Sequence, residues 1–158
     1  CEMTATLHTS RARFTFPAGQ SNILLNLGEG LTNESGASMR FVNDCEIEGS
    51  KLLGTFCYNP QAVFPIYFVM RIHKTPEKRG YWKMQRPMQG PEAEWDADAG
   101  KYKLYTNYGR VMSGDDIGAW FTFDTQANET LEVSIGVSFV SIENARPKHS
   151  GKASYDAY

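Results

Sequence analysis

Apolar and polar side chains alternate along two widely separated segments, and this two-residue period is that of a β-strand with one buried face. Segment 131–139 reads LEVSIGVSF, so its odd-numbered residues are apolar and its even-numbered residues are polar or glycine. Arg11–Phe16 alternates in the same way. Phe64–His73 is apolar on both faces over most of its length, which predicts a central strand that is covered on both sides. Such a sheet needs a second layer, so the sequence predicts a sandwich.

The other segments extend this all-β assignment, and 14 Gly and seven Pro supply turns. Glu46–Gly49 carries Ile47 between two carboxylates, which predicts an edge strand. Ile117–Asp124 is predicted to pair with Leu131–Phe139 as the closing hairpin. Further strands are predicted at Asn22–Leu27, Met39–Asn43, Lys51–Tyr58 and Lys101–Tyr105, with one short strand, Tyr81–Met84, inside an irregular excursion over Thr75–Gly100.

The end of the chain changes character. Ser141 can cap a helix, and Glu143 in its first turn is favoured by the helix dipole, so Ser141–Arg146 is predicted as a short helix that Pro147 ends. The predicted architecture is a two-layer antiparallel β-sandwich over residues 1–147, closed by this helix and followed by an irregular tail over residues 148–158.

Composition excludes several classes of partner. The chain has 158 residues and a formal net charge of −2, and no stripe of Lys or Arg is present, so nucleic acid is not an expected partner. No apolar run approaches the roughly 20 residues that span a bilayer, and no signal peptide is visible. The cysteines are odd in number, and both a Cys45–Cys57 disulfide and two separate thiols stay open; the third is Cys1.

No complete catalytic or metal-binding motif is recognisable. GxSxG, P-loop and GxGxxG motifs are absent. The run Asp96-Ala-Asp98-Ala-Gly100 begins like a calcium loop but lacks the third Asp or Asn and the distal Glu, so a solvated loop is expected. Asp115 and Asp116 are adjacent and predict a turn, because neighbouring side chains of a strand point apart. The histidines are not spaced as metal ligands: His8, His73 and His149. We therefore predict no catalytic residue and no metal ligand in this chain.

Tryptophan is the residue here that is best suited to stacking on a sugar ring. Trp120 lies among apolar residues of a predicted strand, which favours core packing. Trp82 and Trp95 lie in the irregular excursion and are the candidate substrate-binding platform, the alternative being that they cover the core.

Several motifs follow one another in a recognisable order: EMTAT at 2–6, RARFTFP at 11–17, NILLNLGEG at 22–30, DCEIEG at 44–49 and YFVMR at 67–71. The most specific is VSIGVSFVSIENAR at 133–146, which is similar to the pattern V-x-I-G-I-S-F-V-S-x-E-x-A-R. Together they resemble the N-terminal domain of glycoside hydrolase family 92, over nearly all of residues 2–146.

The resemblance implies a galactose mutarotase-like supersandwich within a calcium-dependent exo-α-mannosidase. Members of this family invert the anomeric centre and remove mannose from N-glycans or mannans. Their catalytic acid, base and calcium ligands belong to a C-terminal (α/α)6 domain, and none of those motifs matches a position here. The resemblance thus implies the non-catalytic, incomplete sandwich of an exo-1,2-type enzyme, located in the periplasm or outside the cell.

The expected partners are a mannose-containing glycan and the missing (α/α)6 domain, with calcium in the parent enzyme and no cofactor in this chain. A stand-alone carbohydrate-binding module that uses Trp82 and Trp95 is the alternative. A structural or adhesive module without a ligand is the third hypothesis.

Overall fold

A computed structural model describes residues 1–28, 34–54, 63–85 and 101–149, and the side chains of all of these except 34, 35 and 147–149. Within these ranges the strands form two antiparallel sheets, and a helix, α1, spans Ile142–His149. The larger sheet has seven strands, in the spatial order β1 (Glu2–Ala5), β2 (Thr9–Phe16), β11 (Glu129–Ser138), β6 (Phe64–Ile72), β5 (Glu46–Leu53), β4 (Glu34–Phe41) and β9 (Met112–Gly114). The smaller sheet has four, in the order β3 (Gly19–Asn26), β10 (Ile117–Thr125), β7 (Lys78–Met84) and β8 (Tyr102–Thr106).

The two sheets enclose one apolar core, which confirms the predicted two-layer sandwich. Apart from the edge strand β1, the strands send alternate residues into this core, because successive side chains of a strand point to opposite faces. The largest buried side chains of the core are Met39, Ile47, Ile72, Tyr81, Ile117, Phe121, Phe123 and Leu131.

Strand β6 lies in the middle of the larger sheet, between β11 and β5, as its two apolar faces predict. Phe68, Met70 and Ile72 enter the core. Val69 points the other way and is also buried, and α1 contacts β6 and β11, with Ala145 completely buried. The helix therefore supplies the cover that the outer face of this strand requires.

Two predicted strand neighbours are wrong. Glu46–Gly49, predicted at an edge, belongs to β5, which pairs with β4 on one side and β6 on the other. The predicted hairpin of Ile117–Asp124 with Leu131–Phe139 does not form, because β10 pairs with β3 and β7 whereas β11 pairs with β2 and β6. Each of these strands has a full apolar face, and placing them in opposite layers buries both faces in one core.

Helix α1 begins as the sequence predicts. The backbone N–H of Asn144 donates to Oγ of Ser141 at 3.2 Å, which is an N-cap. Hydrogen bonds from its own backbone N–H and from Ser141 lower the pKa of Glu143. The helix continues through Pro147 to His149, so the prediction that Pro147 ends it is wrong.

Among the described residues, Cys1 and Cys45 carry free thiols, and Sγ of Cys45 lies 3.5 Å from Oγ1 of Thr75. Cys57, the other partner of the disulfide that the sequence left open, lies outside the described residues. No helix in the described ranges has both the length and the apolar character needed to cross a bilayer.

Candidate functional site

The outer face of the smaller sheet is apolar, although the outer face of a sandwich sheet is ordinarily polar. Leu24 and Leu104 are 65% and 64% exposed, and Tyr102 is 50% exposed. The half-buried rings of Trp82 and Trp120 lie between them. We call these five side chains the platform. An exposed apolar patch of this kind marks a surface that contacts a ligand or another protein.

Two glycines allow the tryptophans of the platform to lie close to the sheet. Gly80 pairs with Trp120 and Gly118 pairs with Trp82, on adjacent strands β7 and β10. A Cβ on Gly80 would lie 2.7 Å from Cζ2 of Trp120, and one on Gly118 would enter the indole of Trp82. Each ring therefore packs on the backbone of a glycine, and the two aromatic rings lie close to the outer face of the sheet.

Polar groups border the platform. The hydroxyl of Tyr102 donates to Oδ2 of Asp116 at 2.9 Å, and Oγ1 of Thr122 donates to Oδ1 of Asn22 at 2.7 Å. Oδ1 of Asp116 and Nε1 of Trp120 are buried without a hydrogen-bond partner among the described residues. A buried polar atom without a partner costs about 1–3 kcal/mol. Such atoms are uncommon in native proteins, so the polar border of the platform is a candidate place for a ligand to supply hydrogen bonds.

A second recess, which we call the Arg79 cleft, opens at one end of the sandwich and has a volume of about 680 Å³. The guanidinium of Arg79 lies 4.0 Å from the ring centre of Phe41. Its Nη2 and Nε donate to Oδ1 of Asp44 at 2.9 and 3.1 Å. Because Arg79 belongs to the smaller sheet and its two partners follow or end β4, these contacts fasten one sheet to the other. The lining includes Phe41, Asp44, Glu77, Lys78, Arg79, Tyr81, Asn107, Tyr108 and Trp120.

Tyr81 forms the floor of the Arg79 cleft. Its hydroxyl oxygen accepts a hydrogen bond from the backbone N–H of Phe41 at 2.9 Å, and its ring makes an edge contact with Tyr108 at 6.1 Å. Burial raises the pKa of Tyr81 above its ordinary value, although the Phe41 N–H opposes this shift. The hydroxyl therefore stays protonated and keeps a proton to donate at neutral pH.

Two buried carboxylates lie on the opposite side of the molecule, beneath α1. Glu46 and Glu48 occupy one face of β5, and both form ion pairs with the guanidinium of Arg146. Arg40 also pairs with Glu48 at 2.7 Å. The hydrogen bond to Glu46 is the main cause that raises the pKa of Arg146. These charges neutralise one another and attach the helix to the sheet.

Comparison with known proteins identifies the relatives of this sandwich. The family model of the glycosyl hydrolase family 92 N-terminal domain matches residues 1–138. The chain belongs to glycosyl hydrolase family 92. No curated protein matches the sequence.

Solved family 92 enzymes share the fold. The α-mannosidase BT3965 from Bacteroides thetaiotaomicron has a TM-score of 0.70 at 24% identity, over 93% of this chain and 18% of that chain. The inverting mannosidase BT2199 from the same organism has a TM-score of 0.69 at 16% identity, over 97% and 18%. The family 92 hydrolase ccman5 has a TM-score of 0.71 at 24% identity, over 98% and 18%. This chain thus spans about 18% of the length of these enzymes.

Family 92 enzymes are glycoside hydrolases, and glycoside hydrolysis generally uses two carboxyl groups that face each other across the scissile bond. Glu46 and Glu48 do not fit these roles, because both side chains are paired with arginines beneath a helix. The described residues also contain no group of three or more His, Cys, Asp or Glu side chains that could hold a metal ion. Asp96 and Asp98 lie outside the described residues.

The structure places one of the two predicted platform residues on an exposed face. Trp82 is half-buried on the platform, whereas Trp95 lies outside the described residues. The prediction that Trp120 packs in the core is wrong, because its even position on β10 puts it on the opposite face from Phe121 and Phe123. Strict application of the two-residue period would have found it. Asp115 and Asp116 lie in the turn before β10, as predicted. The Arg79 cleft gave no sequence signal, since its residues come from several distant segments.

Proposed function

We propose that this chain is the non-catalytic β-sandwich portion of an inverting exo-1,2-α-mannosidase and packs on an (α/α)6 catalytic domain encoded by further sequence. The match to the family 92 N-terminal domain over residues 1–138 carries this proposal. The substrate would be a mannose-containing glycan, and calcium would belong to the part of the enzyme outside this chain. The parent enzyme would act in the periplasm or outside the cell.

An exposed apolar cluster near the start of α1 supports packing against a further domain. The rings of Phe64 and Phe139 meet edge-on at 5.8 Å, and Phe139 and Val140 are 57% and 71% exposed. Aromatic side chains are enriched in the buried centres of protein interfaces. The cluster also adjoins the segment between β11 and α1. We therefore include Phe64, Phe139 and Val140 in the surface that contacts the catalytic domain.

The test compares this chain with a longer chain expressed from the same coding region. Both are incubated with α-1,2-mannobiose, and the anomer of the released mannose is followed by NMR. We expect no turnover by this chain alone, because its buried carboxylates are neutralised. We expect the longer chain to release β-mannose first and to lose activity with a calcium chelator. Turnover by the purified short chain, or retention of configuration by the longer one, would contradict the proposal.

A second candidate function is a stand-alone carbohydrate-binding module, and the platform is the observation that favours it. Aromatic rings bind the apolar faces of sugars, and Trp82 and Trp120 are both presented on an outer face. Titration of this chain with mannosides and with other glycans tests it: Trp82→Ala should abolish binding, and Trp95→Ala tests the second predicted residue. Flat titrations of a chain that unfolds cooperatively would favour the ligand-free structural module.

A further inference from the structure

We propose that the platform and the Arg79 cleft form one continuous site for a neutral oligosaccharide of at least two pyranose rings. This inference rests on the proposed carbohydrate-binding role and gives it a substrate class. Trp120 joins the two parts, because this residue lines both the Arg79 cleft and the hollow over the platform. A ligand that stacks on Trp120 would thus contact apolar surface on one side and polar groups on the other.

The two parts offer complementary chemistry. The platform presents rings and aliphatic side chains, which suit the C–H face of a pyranose. The Arg79 cleft presents the carboxylate of Asp44 and the guanidinium of Arg79, which suit the hydroxyl groups of a sugar. Each part by itself satisfies only half of what a sugar ring requires. A ring on the platform followed by a second ring in the cleft satisfies both.

Charge favours a neutral ligand. The charged residues that line the Arg79 cleft are two acids and two bases: Asp44, Glu77, Lys78 and Arg79. Their formal charges cancel, so the cleft has no net attraction for a phosphate, a sulfated glycan or a cationic peptide. Its volume of about 680 Å³ lies within the range of small-molecule sites, about 300–1,000 Å³.

Arg79 is positioned before any ligand arrives. Its guanidinium stacks on Phe41 and donates to Asp44 through Nη2 and Nε. Among the described residues Nη1 makes no hydrogen bond and is available to a sugar hydroxyl. A side chain that is already ordered loses little conformational entropy on binding, which favours affinity.

The experiment titrates the wild-type chain with methyl α-mannoside, α-mannobiose and α-mannotriose, followed by calorimetry and by tryptophan fluorescence. We expect affinity to rise about tenfold or more from the monosaccharide to the trisaccharide, because the longer ligand gains hydrogen bonds to charged groups in the cleft. Asp44→Asn should remove most of this rise. Trp120→Ala should weaken all three ligands, and Trp120→Phe should restore part of the loss.

Glu2→Gln is the matched control. Glu2 and Asp44 are both exposed carboxylates paired with a half-exposed arginine, with side-chain exposures of 65% and 69%. Glu2 lies on β1, at the edge of the other sheet, so its loss should leave all three affinities at wild-type values. Unfolding midpoints of every variant show whether each remains folded.

Three results would overturn the inference. Equal affinity for the monosaccharide and the trisaccharide would refute the continuous site but would remain compatible with the carbohydrate-binding role. A wild-type rise that persists in Asp44→Asn would exclude the cleft from the site. Absence of binding to any sugar would remove both this inference and the carbohydrate-binding module. The mannosidase proposal is decided separately, by the turnover of the longer chain.

Discussion

The indole of Trp82 lies directly over Gly118 of the neighbouring strand, so that a Cβ at position 118 would fall inside the ring. Trp120 has the same relationship to Gly80 two pairs further along β7 and β10. The order Gly–Trp on one strand against Trp–Gly on the other brings the two indoles to the same outer face. Glycine is required there because any other residue would push a ring off the sheet.

Gly118→Ala should therefore destabilise the fold by about 1–3 kcal/mol, the usual cost of inserting a methyl group where atoms already pack closely. The Trp82 ring must swing away, so tryptophan fluorescence should shift at the same time. Gly109→Ala is the control, since a Cβ at Gly109 meets no atom within 4 Å. Equal urea unfolding midpoints of the two variants would show that Gly118 is not needed to make room for the Trp82 indole.

Arg146→Ala should cost about 3 kcal/mol of stability, the lower end of the range for breaking a buried ion pair. The side chains of Glu46 and Glu48 are only 8% and 3% exposed and would lose their main counter-charge, whereas the side chain of Arg146 is 40% exposed. Arg13→Ala removes an arginine whose acidic partners are exposed or half-exposed, so its cost should be much smaller. If urea unfolding showed that Arg146→Ala loses as little stability as Arg13→Ala, the stabilising role of the Arg146 ion pairs would be contradicted.

Stability should fall as the pH drops below about 4.5, the ordinary pKa of a glutamate side chain. Nζ of Lys74 donates to Glu129 at 2.6 Å and the N–H of Gln126 donates at 2.8 Å, and both lower the pKa of Glu129. A carboxylate with a lowered folded pKa stabilises the fold above its unfolded pKa, and this stabilisation disappears as the pH falls through the folded pKa. Lys74→Met should therefore lose less stability than the wild type as the pH falls below about 4.5.

Urea midpoints between about pH 7 and about pH 3 measure this difference. Lys83→Met supplies the comparison, because Nζ of Lys83 donates to the backbone carbonyl of Ser113, which does not titrate. Lys83→Met should keep the wild-type pH dependence. An unchanged slope in Lys74→Met would refute the assignment to Glu129.

Phe139→Ala should change the stability of this chain by no more than about 0.5 kcal/mol, because the side chain is 57% exposed. Phe123→Ala, at 1% exposure in the core, should cost about 3–5 kcal/mol. In the longer enzyme that we propose, Phe139→Ala is expected to weaken the association of the two domains more than Phe123→Ala does. Faster limited proteolysis between the domains would report this weakening. A large loss of stability from Phe139→Ala in the short chain would instead assign this ring to the sandwich itself.

The fold class was predictable because its signal is local. Alternation in Leu131–Phe139 and the two apolar faces of Phe64–His73 predicted strands and a second layer, and both are present. The Ser141 cap was equally local, since the hydroxyl bonds a backbone N–H within the first turn. The candidate site was only half predictable: Trp82 was placed on an exposed face, but Trp120 was assigned to the core although its parity opposes that of Phe121.

By itself, then, the sequence determined which faces of the strands are apolar and where the helix begins, because the direction of a side chain along a strand depends only on its neighbours in the chain. Only the tertiary structure decided that β10 and β11 lie in opposite layers, that Glu46 and Glu48 are interior, and that Arg79 meets Asp44. Those contacts join residues far apart in sequence. They are selected because that arrangement buries the apolar faces that form the core and pairs the buried carboxylates with arginines, and no local pattern records that choice.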